Sequence, residues 1–137
     1  MYHELDPPEW VPDLGCALRK TGLYFDAIRI AGAHGERVAE AVEKECGGEP
    51  GPVVREAIGR RWVYFILPPD TVRQYRWPPS AERYSALTPG RIAYIGIPAL
   101  GGDTWPLFWR SQPTPERRFV DPGILNAVVT RDTGVTG

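Results

Sequence analysis

The sequence predicts a single α+β domain: a mixed, mainly antiparallel sheet with a packed helix and a proline-rich irregular excursion. Three observations carry that prediction. Runs of branched and aromatic residues of strand length recur along the chain, one stretch has the three-and-four spacing of an amphipathic helix, and prolines crowd the interval between residues 68 and 90. A length of 137 residues with 42% hydrophobic content suits one core and argues against two domains. The boundaries read as an extended N-terminal segment at 1–21, the domain itself at 22–131, and a frayed tail at 132–137.

In the first segment Pro7, Pro8 and Pro12 remove backbone donors and restrict their predecessors, while Trp10 and Val11 offer apolar anchors. The run LYFDAIRI, residues 23 to 30, reads as a strand bounded by Gly22 and Gly32. Alternation puts Tyr24, Asp26, Ile28 and Ile30 on one face and Leu23, Phe25, Ala27 and Arg29 on the other. Both faces are largely apolar, so the strand should be central, with Asp26 a polar exception. Residues 36 to 46 form the helix, with Val38, Ala41, Val42 and Cys46 inward and Glu36, Arg37, Glu40 and Lys44 outward. Gly47 and Gly48 supply left-handed residues to close it.

The stretch GPVVREAIGRRWVYFILPP reads as strands near 52 to 58 and 61 to 67 joined by a tight turn at Gly59, with Pro68 and Pro69 ending the second. Five prolines lie between residues 68 and 90, with Tyr75, Trp77 and Tyr84 interspersed, and predict a long irregular excursion pinned by aromatics. Residues 91 to 97 form another strand, and WPLFWR, residues 105 to 110, is expected to be its hairpin partner. Pro106 marks that partner as an edge strand or bulge. Asp121 followed by Pro122 is a helix start, the carboxylate capping and proline at the first position, with Ile124, Leu125, Val128 and Val129 on the buried side.

Charge excludes a polybasic role. The 16 basic and 17 acidic residues leave a net charge of -1, which gives no general attraction to phosphate. Of the basic residues only Lys20 and Lys44 are lysines, but the arginines are scattered and match a GC-rich coding composition. No apolar run reaches the roughly 20 residues of a membrane span, and the start MYHELDPPEW lacks the layout of a secretory signal. A cytoplasmic protein without membrane contact is the expectation. Cys16 and Cys46 lack zinc-site spacing and read as free buried thiols.

For chemistry the sequence offers little. Two metal-binding carboxylates two apart on a strand would point to one face, but Asp26 is followed by Ile28, so Asp26 reads as a buried carboxylate bonded to backbone or to an arginine. His34 in HGE lacks the cysteine half of a zinc-deaminase signature. No nucleophile elbow, phosphate-binding glycine loop or dinucleotide fingerprint occurs, and no catalytic residue, metal or cofactor is assigned. Arg60, Arg61 and Arg91 stand at strand starts, where a cluster would contact phosphate or an acidic partner.

Three stretches, LYFDAIRI followed by a helix, GPVVREAIGRRWVYFILPP, and GRIAYIGIPALGGDTWPLFW, together resemble the N-terminal prim-pol domain of bifunctional DNA primase/polymerases over residues 22 to 110. The resemblance implies the fold and a residual binding groove. It also implies that the chemistry is gone: Asp26 matches the first acid of the family's pair while Ile28 takes the place of the second, and Trp62 takes the place of its histidine.

The resulting expectation is a catalytically inactive, prim-pol-like binding domain acting through a partner. A protein partner is slightly favoured over nucleic acid because net charge is near zero. The binding residues expected are Asp26, Arg29, Arg60, Arg61, Arg91, Trp77 and Trp105. Two other readings stand beside it. One is a small enzyme with its site at Asp26, Arg29 and the 68 to 90 excursion, and the other is a structural subunit presenting Tyr75, Trp77, Trp105 and Trp109.

Overall fold

The branched and aromatic runs pair as antiparallel strands, but they divide between two sheets. The computed structural model describes residues 7 to 86 and 93 to 134. In chain order the elements are β1 (Cys16–Lys20), β2 (Asp26–Ile30), helix α1 (Gly32–Glu45), β3 (Val53–Glu56), β4 (Val63–Leu67), a short 3-10 turn (Val72–Gln74), β5 (Glu82–Tyr84), β6 (Tyr94–Pro98), β7 (Leu107–Ser111) and helix α2 (Pro122–Gly134). Five strands run in the order β5-β2-β4-β3-β7, and a separate pair joins β1 to β6. This is one mixed α+β domain. Among the described residues no helix is long and apolar enough to cross a membrane.

Alternation along β2 and β4 builds two cores. Ile28, Ile30, Val63, Phe65 and Leu67 face the helices and meet Val38, Val42, Leu125 and Val128, while Ala27, Tyr64 and Ile66 face the other way and meet Trp10, Phe25, Ile95 and Ile97. Burying each of the larger side chains contributes about 2 kcal/mol. Because β2 is flanked by β5 and β4, it is central, as its two apolar faces require. Helix α1 starts at Gly32, upstream of its amphipathic stretch. Gly35 makes this possible, since a Cβ there would stand 2.7 Å from the Ile30 carbonyl oxygen and 2.7 Å from Val63 Cγ2. Gly47 and Gly48, at φ 75° and 111°, close the helix. At α2 the Ile124 N–H donates to Asp121 Oδ1 at 3.0 Å, which is the cap that Asp121 and Pro122 predict.

Five features of this paired frame differ from the sequence reading. The N-terminal segment carries β1, whose pairing with β6 runs from Cys16 opposite Pro98 to Lys20 opposite Tyr94. Strand β6 therefore does not form a hairpin with β7; β7 pairs with β3 at the sheet edge, the position Pro106 calls for. The two meet face to face instead: the Trp109 indole N–H lies 3.2 Å from the Pro98 carbonyl and 3.0 Å from that of Ala99. The excursion after Pro69 is not wholly irregular, because β5 returns along β2. Helix α2 continues through residues 132 to 134, where His34 Nε2 meets Asp132 Oδ2 at 2.6 Å; residues 135 to 137 lie outside the described residues. Both thiols are unpaired, but Cys16 is exposed and Cys46 half-buried, not fully buried.

Candidate functional site

Asp26 and Arg29 are three apart on β2, so the pleat sends them to opposite faces, and they do not share a site. Asp26 faces the helices and is 0% exposed. Its Oδ2 accepts the Val72 N–H at 3.1 Å, while Oδ1 has no hydrogen-bond partner among the described residues. Burial pushes its carboxyl above the ordinary range, opposed by the backbone N–H groups of Val72, Asp70 and Thr71. The carboxylate ties the loop after Pro69 to the central strand, in keeping with the buried, backbone-bonded role. Among the described residues no three His, Cys, Asp or Glu side chains gather as a metal site would require.

Arg29 faces the other layer. Its guanidinium carbon lies 3.8 Å from the Trp62 ring centroid and 5.3 Å from that of Tyr84, and Nε donates to Glu82 Oε1 at 2.8 Å. Register explains the cluster, because Arg29 stands directly between Glu82 on β5 and Tyr64 on β4. Burial pushes the Tyr64 and Tyr84 hydroxyls up, against the pull of Arg29, so both stay protonated at neutral pH.

On the helix side, a groove of about 510 Å³ opens where α1 begins over β3 and β7. It is lined by Gly32, Ala33, Arg55, Ala57, Arg61 and Phe108 among others. Arg61 is brought here by the β3 to β4 turn, in which its own φ is 54° and its carbonyl accepts the Gly32 N–H at 3.2 Å. Arg55 Nη1 is 3.7 Å from Glu36 Oε2, and the same glutamate receives Arg110 Nε at 3.0 Å. Arg61 has no carboxylate partner among the described residues. Phe108 packs edge-on against Trp105, with centroids 6.2 Å apart, and the two are 38% and 61% exposed. Ile58, in the same turn as Arg61, is also exposed, and the neighbouring Ala57 N–H holds the turn to the Pro106 carbonyl at 2.9 Å.

The other expected residues disperse. Trp77 donates to the Val72 carbonyl at 2.8 Å and packs half-buried on the helix-side core, so it pins the excursion; Tyr75 meets it edge-on. Trp109 is likewise packed, against Trp10. Arg60 lies 5.9 Å from the Trp62 ring, on the same turn as Arg61. Arg91 lies outside the described residues. Thus of the expected residues Arg61 alone lines the groove, with Trp105 reaching its edge through Phe108, while Asp26, Arg29 and Trp77 do not join them. Sequence reasoning missed Arg55 and Phe108; the signal available was their place on strands that Pro106 and Gly59 delimit, but their opposition across β3 and β7 depends on a pairing no local pattern specifies.

Compared with known proteins, the chain matches no family model, no curated protein and no solved structure.

Proposed function

We propose that this chain is a binding domain without chemistry of its own, a catalytically inactive relative of prim-pol domains, and that it holds a segment of a protein partner in the groove beside α1. The observation that carries the reading is the exposed Phe108, backed edge-on by the exposed Trp105, in a groove that also holds Arg61, which has no carboxylate partner among the described residues. Exposed aromatics beside arginine are the composition of interface anchors, and the fitting occupant is a segment with an apolar side chain for Phe108 and a carboxylate for Arg61. The inactive half of the reading is supported by the sealed carboxylate of Asp26, which shares a face with Ile28 and opens to no solvent. Two unpaired cysteines support a reducing compartment such as the cytoplasm.

The test is affinity capture from the native host with the wild-type chain, Trp105→Ala and Arg61→Glu in parallel. A protein retained by the wild type and lost from both variants supports the groove. Equal retention by all three overturns it. In a separate assay with magnesium or manganese, nucleotides and template, the chain neither starts nor extends a strand; incorporation that vanishes in Asp26→Ala would sink the inactive reading.

A further inference from the structure

A second cavity, of about 330 Å³, lies on the opposite face of the five-stranded sheet, between its open end and the β1–β6 pair. Three tyrosines, Tyr64, Tyr84 and Tyr94, line it together with the carboxylate of Glu56, the guanidinium of Arg29 and apolar residues such as Leu18. Alternation along β3 puts Arg55 on the helix side, where it reaches Glu36, and so puts Glu56 on the cavity side, level with Leu107 across the strand pair. The Glu56 carboxylate has no hydrogen-bond or ion-pair partner among the described residues, although it acts electrostatically on Tyr64 and Tyr84. Arg29 does not neutralise it, being committed to Glu82 at 2.8 Å and to the Trp62 face at 3.8 Å. The cavity thus presents, beside tyrosine rings, a carboxylate that no side chain among the described residues pairs with.

We propose that this cavity receives the guanidinium of an arginine side chain from a protein partner, with Glu56 as its counter-ion and the tyrosine rings as its walls. The chain already demonstrates the arrangement in the wall of this cavity, where Arg29 is held by one glutamate and two aromatic faces. A planar guanidinium both stacks on a ring and pairs with a carboxylate through two N–H groups, which a phosphate or a neutral amide does not do here. Exposure favours access, because Tyr94 and Leu18 at the rim are 53% and 70% exposed. The proposal goes beyond the groove reading: Glu56 borders both cavities, but Tyr94 belongs to this one alone and Arg61 to the groove alone.

The test is titration of the isotopically labelled full chain with N-acetyl-arginine amide and with its neutral isostere N-acetyl-citrulline amide, followed by amide chemical shifts. Saturable shifts at Leu18, Glu56, Tyr94 and Gly96 are expected for the arginine compound, with the citrulline compound about tenfold weaker. Glu56→Gln should lose about tenfold, and Tyr94→Ala severalfold, with melting curves unchanged in both. Arg61→Glu should leave this binding intact, which separates its failure from that of the groove. Equal binding of arginine and citrulline, or Glu56→Gln binding as the wild type does, overturns the proposal.

Discussion

The Arg29 guanidinium carbon lies over the Trp62 ring, 3.8 Å from its centroid. Arg29 is on β2 and Trp62 immediately precedes the neighbouring β4, packed on the core between the five-stranded sheet and the β1–β6 pair. A half-buried cation and ring of this kind stabilise each other by about 1 kcal/mol. The prediction is a coupling of that size in a double-mutant cycle of Arg29→Met and Trp62→Leu, read from urea denaturation. Additive losses would show that the two merely touch.

Asp26 gives a prediction about pH. Burial raises its folded-state pKa, so the folded chain holds the proton more tightly than the unfolded chain does. Stability from this group is therefore fully present below the ordinary carboxylate value and is lost as pH rises through the raised value. Asp26→Asn keeps an acceptor for the Val72 N–H and removes the ionisation. It should flatten that part of the pH-stability curve and raise Tm at pH 7 by about 3 °C. A variant less stable than the wild type at pH 7 would mean that the ionised carboxylate is the stabilising form.

Gly35→Ala should destabilise the domain by roughly 2 kcal/mol, although alanine is ordinarily the better helix former. The added Cβ would stand 2.7 Å from a backbone oxygen of β2, which cannot rotate away as a side chain can. Thermal denaturation of the variant checks this, and an unchanged Tm would mean that α1 shifts without cost.

Val42→Asp should abolish the cooperative transition. Val42 is fully buried in the core between α1 and the sheet, and an unpaired carboxylate there costs several kcal/mol. A retained transition in circular dichroism would show α1 to be peripheral.

Binding to single-stranded DNA, if measured at low salt, should fall steeply with added salt and disappear when Arg60, Arg61 and Arg91 are replaced together. With a net charge of -1 only a local arginine cluster offers phosphate an electrostatic handle. Salt-independent binding, or binding unchanged in the triple variant, would count against these arginines as the phosphate contacts.

Much of the frame was legible in the sequence because it is written in local periodicity. The double-sided apolar strand with Asp26 buried in it, the turn at Gly59 between β3 and β4, the stop at Pro68, and the Asp121–Pro122 start of α2 each depend on residues a few positions apart. The candidate site was less legible. Arg61 and Trp105 were singled out from composition, but so were Asp26 and Trp77, which the fold turns to structural use.

What the sequence determined by itself was the period of each segment, the direction in which its side chains alternate, and the ends at which proline and glycine stop it. What only the tertiary structure decided was partnership: that β6 joins β1 and not β7, that β5 returns along β2, that Phe108 meets Trp105 beside Arg61, and that Arg29 rests on Trp62. The reason is that an apolar strand face will bury itself against any surface of matching shape, and its backbone will pair with any free strand edge. Which face and which edge prevail is a property of the whole packed core, since each choice commits Trp10, Ile95, Ile97 and Trp109 at once.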